Sequence, residues 1–233
     1  MRKSVIALMF VVLGAPFIAQ AAEEARPFIT SEDLDLSKYI PAPPANDSAQ
    51  TKAELDELIQ IQKNSTAAQK KMAIDDSNGE NVWRFSDVMG PEFVEAKLPK
   101  TAEFFSRLVA TEDVVNELPK KVFHRPRPYM LNDNIHPLTK ATTSGSWPSG
   151  HSTLGYLMAT ELSKMVPEKR DALFARADVY ASNRLISGFH YRSDTVMGRT
   201  TGALIALKSE QQPDFQPEFD AAKAELRAQL GLK

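Results

Sequence analysis

Residues 148–165 read PSGHSTLGYLMATELSKM, a turn-forming Pro-Ser-Gly followed by a long apolar stripe. The stripe recurs every three or four residues, at Leu154, Leu157, Met158, Leu162 and Met165, which is the spacing of one face of an α-helix. Ser149 stands where a helix N-cap belongs, because its hydroxyl can accept an N–H of the first turn. The stretch therefore predicts a largely buried helix that begins at a polar turn.

Similar spacing predicts helices on both sides of this stretch. We expect a capping box of Thr51 with Glu54 to open a helix that runs to about Lys71. Further helical segments are predicted over residues 93–109, 114–122, 167–188, 190–207 and 217–230, where Pro99 and Pro119 start, kink or interrupt a helix. Sustained strand alternation and internal repeats are both lacking. The sequence predicts an all-α protein, a compact helical bundle with loops that converge on the functional site.

Composition narrows the function classes. The 233 residues leave room for one large domain or two small ones, and a single core is the default expectation. A formal charge of −2 provides no basic field for a row of nucleic-acid phosphates, so no nucleic-acid partner is expected. The absence of cysteine excludes disulfides, thiolate nucleophiles and Cys-ligated metal sites.

The N-terminus has the pattern of a secretory signal peptide. Arg2 and Lys3 precede an apolar run over residues 5–13, and Ala19-Gln20-Ala21 forms a small-x-small cleavage pattern. A membrane anchor is the alternative, but it needs about 20 apolar residues, and the run meets Gly14 and Pro16 too early. We therefore expect a cleaved peptide at residues 1–21, a periplasmic mature protein and no stable membrane insertion.

The remaining chain divides into two predicted parts. Residues 22–50 are Pro-rich around Tyr39-Ile40-Pro41-Ala42-Pro43-Pro44, and they are expected to form an extended arm on the surface, since prolines there prevent a helix. Residues 51–233 are expected to form a single helical domain.

Two short polar segments are candidates for binding an anion. Residues 120–128 read KKVFHRPRP and concentrate cations at a predicted helix end, where a solvated basic surface is the simpler interpretation. The Ser149-Gly150-His151 start of the next helix is an ordinary cap, but it also presents N–H groups at the positive end of a helix dipole. Gly150 would let a phosphate come close.

A third segment contains Arg184, His190 and Asp194. We expect His190 and Asp194, four residues apart, to lie on one face of one helix, where the carboxylate accepts the proton of one imidazole nitrogen. The other nitrogen would then present a lone pair. A buried histidine with satisfied hydrogen bonds is the structural alternative.

Together, the three segments resemble a known signature. Lys-x₆-Arg-Pro at residues 120–128, Pro-Ser-Gly-His at 148–151 and Arg-x₅-His-x₃-Asp at 184–194 resemble the three motifs of the PAP2 acid phosphatase and vanadium haloperoxidase superfamily. Within it, the chain resembles bacterial class A non-specific acid phosphatases, which implies the helical bundle of that superfamily. One position departs from the pattern, because Asn183 stands where the family usually has serine before the arginine.

The resemblance implies a mechanism without metal or other cofactor. His190 is the implied nucleophile that forms a phosphohistidine, Asp194 orients it, and His151 is the general acid and base. The implied phosphate-binding residues are Lys120, Arg127, Ser149, Gly150 and Arg184. Lys121 and Arg125 are expected to lie behind the site or to face solvent. Phosphomonoesters are the implied substrates, among them nucleotides, sugar phosphates and aryl phosphates, and a homo-oligomer is the implied assembly.

Three alternatives remain open. A vanadium-dependent haloperoxidase would use His190 as the metal ligand, and a membrane lipid phosphatase would need spanning helices that the sequence lacks. A catalytically weak periplasmic phosphate-binding protein is the third, and Asn183 alone favours it. Trp147 and Tyr191 are candidates for shaping the mouth of the site, although Trp147 could equally pack in the core.

Overall fold

The computed structural model describes residues 25–233, so the predicted signal peptide at residues 1–21 lies outside the described residues. Within this range the chain is helical and contains no strand, which confirms the all-α prediction. The α-helices are α1 Ala49–Asn64, α2 Ala67–Ser77, α3 Ser86–Met89, α4 Pro99–Phe123, α5 Pro128–Leu131, α6 Gly150–Met165, α7 Arg170–Ile186, α8 Arg192–Ser209 and α9 Phe215–Gln229. Short 3₁₀ helices lie at Leu36–Lys38, Val82–Phe85, Glu95–Lys97 and Pro167–Lys169.

Helix α6 is the centre of the bundle. It packs against α8, α7 and α4, and almost all of its side chains are buried. Ser149 caps it, since its hydroxyl accepts the N–H of Ser152 at 3.3 Å, as the sequence predicts. Because α6 is central, the residues at its N-terminus lie where the other polar segments meet.

Two glycines allow α8 to lie unusually close to α6. A Cβ atom on Gly198 would come within 2.6 Å of the Ser152 Cβ, and one on Gly202 within 2.6 Å of the Thr153 carbonyl oxygen. At the same contact, the hydroxyl of Thr153 on α6 and that of Thr201 on α8 are 2.7 Å apart. The absence of side chains at these positions therefore sets the spacing between the two helices.

The first predicted helix differs from the structure at both ends. Ser48, not Thr51, is the N-cap of α1, because the Ser48 hydroxyl accepts the Thr51 N–H at 3.1 Å. The helix stops at Asn64, and a new capping box of Thr66 with Gln69 opens α2. The capping signal at Thr66 overrides the continuous helical spacing on which the prediction of a helix to Lys71 was based.

The two segments predicted over residues 93–122 form one helix, α4. Pro99 occupies the first turn, where its missing N–H has no partner to lose, whereas Pro119 lies inside the helix. Phe104, Leu108 and Val115 are fully buried along one face. This continuous apolar face holds the helix together across the hydrogen bond that Pro119 cannot make.

The prediction that His190 lies within a helix is wrong. Helix α8 begins at Arg192, and Asp194 lies in its first turn, where its carboxylate accepts the N–H of Tyr191 at 2.9 Å. His190 therefore precedes the helix. Its contact with Asp194 arises from the capping geometry of the turn and not from a shared helix face.

Residues 25–48 form no α-helix, but they do more than cover the surface. Phe28, Ile29 and Leu36 are buried in the main core, and the Phe28 N–H donates to the Thr111 hydroxyl on α4 at 2.8 Å. This segment is therefore part of the packed domain. The expectation of a purely superficial arm is wrong, because its apolar side chains complete the core.

Among residues 25–233, none of the helices combines the length and the apolar character that crossing a bilayer requires.

Candidate active site

The three predicted motifs meet at one cavity of about 400 Å³. Six of the eight predicted site residues line it, and the other two, Ser149 and Asp194, lie buried directly behind its wall. The lining residues are Ser77, Asn78, Glu80, Glu112, Asp113, Lys120, Arg127, Thr139, Lys140, Thr142, Ser144, Gly150, His151, Arg184, Phe189 and His190. The structure thus brings together residues that are more than 70 positions apart in the sequence.

The contacts of His190 define its tautomer. Its Nδ1 lies 3.0 Å from the Ser146 carbonyl oxygen and 3.2 Å from Asp194 Oδ2, both of which are acceptors. Its Nε2 lies 3.0 Å from Nη1 of Arg127, which is a donor only. These partners require the proton on Nδ1, so the lone pair of Nε2 accepts a hydrogen bond from Arg127 in the cavity wall, and that bond must give way when Nε2 reacts.

The electrostatic surroundings keep this imidazole neutral. Burial, followed by the positive charges of Arg127 and Arg184, holds the pKa of His190 well below its usual value. A neutral imidazole with a lone pair on Nε2 is the form that can act as a nucleophile.

Arg125 is a residue whose contact with Asp194 the sequence analysis did not identify. It is almost fully buried, so of the two places expected for it the one behind the site is confirmed and the solvent-facing one is wrong. Its guanidinium donates to Asp194 Oδ1 at 2.6 Å, to Ser193 Oγ at 2.8 Å and to Glu54 Oε2 at 3.1 Å. Burial raises the pKa of Asp194, and the charge of Arg125 opposes that rise. Arg125 therefore fixes the carboxylate that orients His190.

Arg127 is held rigidly in the cavity wall. It donates from Nε to the Ser144 carbonyl at 2.9 Å and from Nη2 to the Gly145 carbonyl at 3.2 Å. Burial lowers the pKa of Arg127. Because the ordinary pKa of an arginine is very high, the group nevertheless remains a cation.

Arg184 supplies the second guanidinium of the cavity. Its Nη1 donates to the Ser77 hydroxyl, and burial lowers its pKa to about 10, which leaves it charged at acidic and neutral pH. Lys120 also lines the cavity, with its Nζ 3.4 Å from the position of a Cβ on Gly150. Three cations thus surround one end of the cavity, an arrangement suited to a phosphoryl group.

His151 lies across the cavity between two acceptors. Its Nδ1 is 2.8 Å from Glu80 Oε1, and its Nε2 is 3.2 Å from the Ser77 carbonyl oxygen. Burial and the charge of Arg184 lower the pKa of His151, whereas Glu80 opposes this shift. Glu80 is a second residue that the sequence analysis missed, because it lies in a loop with no recognisable motif.

Ser149 differs from its predicted role in one respect. Its N–H donates to the Asp194 carbonyl oxygen at 3.2 Å, so this amide is already occupied and joins the start of α6 to α8. Its hydroxyl is buried and caps the helix. Of the two predicted amides, only Gly150 belongs to the cavity lining.

Asn183, which stands where the family usually has serine, belongs to a buried hydrogen-bond network. Its Nδ2 donates to Asp76 Oδ2 at 2.7 Å, and Asp76 also binds the guanidinium of Arg176 at 2.6 and 3.1 Å. Because Asp76 immediately precedes Ser77, this buried network helps to place the Ser77 groups that contact His151 and Arg184.

Trp147 and Tyr191 do not shape the cavity mouth. Both are buried outside the lining, and the Trp147 Nε1 donates to the Pro41 carbonyl at 3.2 Å. The Tyr191 ring packs against the guanidinium of Arg125, whose Cζ lies 3.9 Å from the centre of the ring. Residues 139–144 and Asn78 form the rim instead.

Comparison with known proteins agrees with this geometry. Residues 104–216 match the model of the PAP2 superfamily. The non-specific acid phosphatase of Salmonella typhimurium is 29% identical over 221 residues, which cover 91% of this chain and 88% of that protein. The non-specific acid phosphatase of Providencia stuartii is 29% identical over 148 residues, covering 60% of this chain and 59% of the relative.

Two solved structures share the fold. A bacterial vanadium-dependent iodoperoxidase matches with a TM-score of 0.50 and 19% identity, over 73% of this chain and 52% of that one. A transmembrane PAP2-type phosphatidylglycerolphosphate phosphatase from Bacillus subtilis matches with a TM-score of 0.50 and 16% identity, over 77% of this chain and 90% of that one. At these identities the likeness concerns the fold alone. Residues 104–216 thus carry a PAP2 superfamily domain, and the chain is similar to acid phosphatases over most of its length.

Proposed function

We propose that the protein is a secreted acid phosphatase that hydrolyses phosphomonoesters through a phosphohistidine intermediate. The observation that carries the proposal is the environment of His190, whose Nδ1 proton is held by Ser146 and Asp194 while Nε2 faces the cations of the cavity. The names of the curated relatives, non-specific acid phosphatases, support the same reaction class.

In the first step, the lone pair of His190 Nε2 attacks phosphorus and forms an N–P bond. The P–O bond to the ester oxygen breaks, and its electron pair leaves with that oxygen, which takes a proton from His151 to give the free alcohol. The imidazole ring becomes positively charged, and Asp194 stabilises that charge through Nδ1–H. Arg127, Arg184 and Lys120 stabilise the charge on the non-bridging oxygens.

In the second step, water hydrolyses the phosphohistidine. His151, now neutral, accepts a proton from the water as its oxygen bonds to phosphorus, and the N–P bond returns its electron pair to Nε2. The products are inorganic phosphate and the original His190. Glu80 supports this cycle because its carboxylate favours the protonated form of His151 that the first step requires.

The cavity favours a broad range of alcohols. Its cationic end suits the phosphoryl group, while its rim combines the polar side chains of Asn78, Thr139, Thr142 and Ser144 with the cation Lys140 and has no aromatic clamp for a particular base. Nucleotides, sugar phosphates and aryl phosphates are the proposed substrates.

The charged Arg2-Lys3 start and the Ala19-Gln20-Ala21 pattern support secretion to the periplasm. N-terminal sequencing of the mature protein tests this, and the first residue should be Ala22.

The decisive experiment combines turnover with trapping of the intermediate. His190→Ala is expected to lower kcat on p-nitrophenyl phosphate by about 10³-fold or more, since the reacting group is lost. The matched control is His136→Ala, which removes an exposed imidazole that lies outside the cavity and should leave kcat within twofold. Rapid quenching of the wild type in alkali, in which the N–P bond of phosphohistidine is stable, should also yield labelled phosphate on His190 after reaction with a radiolabelled ester.

Two results would contradict the proposal. One is near-normal kcat in His190→Ala, and the other is labelled phosphate recovered on a different residue. Absence of hydrolysis by the wild type, with bromination after vanadate loading, would instead identify a haloperoxidase.

A further inference from the structure

Glu112 on α4 lies at the cavity but takes no part in the proposed reaction. Its side chain lines the cavity, yet the residue is only 3% exposed. In the described part of the chain its Oε1 has no hydrogen-bond partner, although that atom is fully buried. An unpartnered buried carboxyl oxygen is costly, so this group is one for which a ligand can supply the missing contact.

The position of Glu112 relates it to the phosphoryl end of the cavity. A Cβ on Gly150 would come within 3.1 Å of Glu112 Oε1 and within 3.4 Å of Lys120 Nζ. The carboxyl group therefore lies beside the amide that opens α6 and beside a cation assigned to the phosphate. Because Gly150 has no side chain, Glu112 and Lys120 can lie this close to the start of α6.

The charged neighbours of Glu112 come from three parts of the fold. Helix α4 itself contributes Lys120 and Asp113, the loop after α2 contributes Glu80, and α6 contributes His151 at the same cavity. Asn116, a neutral neighbour on α4, is fully buried, and both of its side-chain polar atoms lack partners. Two carboxylates and two basic groups thus face this residue.

We propose that Glu112 binds phosphate as a neutral carboxylic acid, donating its proton in a hydrogen bond to a non-bridging oxygen of the phosphoryl group. This inference rests on the proposed function only in that the cavity must take a phosphate. A carboxylate at this place would face the like charge of the phosphate, whereas the protonated acid is a donor. Glu112 would therefore make phosphate binding dependent on acidic or neutral pH.

The environment of Glu112 supports the protonated form. Burial raises its pKa to about 8, with Lys120 and the neighbouring Asn116 amide opposing the rise and Glu80 and Asp113 adding to it. A carboxyl group with this pKa is neutral through the acidic range and ionises only as pH rises through about 8. Phosphate affinity should then be retained below that pH and lost above it.

The test measures direct binding of inorganic phosphate by calorimetry at pH 5.5 and pH 9.0. Glu112→Gln mimics the neutral acid, so at pH 5.5 its Kd should lie within fivefold of that of the wild type. At pH 9.0 only about one wild-type molecule in eleven keeps the proton, and E112Q should therefore bind about tenfold more tightly. The matched control is Glu117→Gln on the same helix, whose half-exposed carboxylate pairs with Lys121 and should leave both affinities unchanged.

Two outcomes with E112Q would overturn the inference. If E112Q and the wild type differ by less than threefold at pH 9.0, Glu112 does not control phosphate binding. If E112Q binds phosphate more than fivefold more weakly at pH 5.5, the charged carboxylate is the form that the site needs.

A measurement on the wild type alone covers the case in which E112Q fails to fold. Calorimetry at pH 9.0 in two buffers of different ionisation enthalpy should show uptake of about 0.9 proton per phosphate bound. Binding without proton uptake would overturn the inference. Phosphate binding without any ester hydrolysis would leave the role of Glu112 intact and refute the proposed enzyme, whereas a wild type that binds no phosphate at pH 5.5 refutes both.

Discussion

Arg125 lies behind the cavity wall, and we expect its replacement to impair catalysis through its effect on Asp194. This guanidinium joins Asp194 on α8 to Glu54 on α1, and the side chains of all three residues are at least nine-tenths buried. Arg125→Ala would leave two buried carboxylates without their cation. Arg125→Lys keeps a positive charge, but a single ammonium group cannot reproduce the fork that contacts both carboxylates.

The size of the effect follows from the burial of these groups. Removing one partner of a buried ion pair costs about 3–5 kcal/mol. In a domain of this size, each kcal/mol lowers Tm by about 2–4 °C, so Arg125→Ala should lose roughly 6–20 °C. Arg125→Lys should lose about 1–3 kcal/mol, the cost of hydrogen bonds to charged groups.

Activity should change in a way that a purely structural loss would not produce. Without the guanidinium, burial raises the pKa of Asp194 further, and protonated Asp194 lacks the negative charge that stabilises the positively charged His190 ring during the reaction. At acidic pH a smaller fraction of the enzyme molecules then has an ionised Asp194. The acid limb of the plot of kcat against pH therefore moves to higher pH. We expect about a tenfold lower kcat in Arg125→Lys at mildly acidic pH, or about 1.4 kcal/mol in barrier, with KM nearly unchanged.

The assay compares pH profiles on p-nitrophenyl phosphate with thermal unfolding of the same preparations. Arg192→Lys is the control, since Arg192 pairs with the exposed Glu57 and such pairs contribute about 0–1 kcal/mol. An Arg125→Lys variant with a reduced Tm but an unshifted acid limb would refute the positioning role.

Three further predictions concern the cavity and its support. His151→Ala should reduce kcat most for alkyl phosphates and least for p-nitrophenyl phosphate, because a stable leaving anion needs little protonation; equal losses would rule out His151 as the acid. Turnover should survive exhaustive EDTA treatment and be inhibited by vanadate as a phosphate mimic, whereas activity that returns only with added metal would contradict the mechanism. Asn183→Ser should lose its bond to Asp76, lowering stability by about 1–3 kcal/mol and kcat by no more than about tenfold, while Arg184→Ala should lower kcat by about 10²–10³-fold. An inert wild type that gains activity in Asn183→Ser would indicate a phosphate-binding protein instead.

The sequence allowed the helical class and the main site residues to be predicted for different reasons. Helix α6 was predictable because a polar cap and an apolar stripe are both local patterns. His190 was identifiable through motif spacing, but its place before α8 was not, because Asp194 can cap a helix or sit inside one with the same spacing. Local capping decides between these, as it does at Ser48 and Thr66.

The supporting residues could not be predicted because their roles depend on burial. Arg125 lies in a run of cations, and nothing local distinguishes a cation that meets two buried carboxylates from one that meets water. Glu80 and Glu112 belong to no motif, and their place at the cavity follows only from how α4 and the loop after α2 pack around α6.

The contact of α6 with α8 across Gly198 and Gly202 has a consequence for how this site can diversify. The spacing between α6, which carries His151, and α8, which follows His190, depends on two missing methyl groups about two and three turns into α8, away from the reacting atoms. Even alanine at either glycine would act as a wedge between the helices and shift Asp194 relative to the start of α6. New substrate preferences should therefore accumulate around the rim at residues 139–144, while the helix contact tolerates almost no variation. A library that randomises both regions should return active variants in which only the rim has changed.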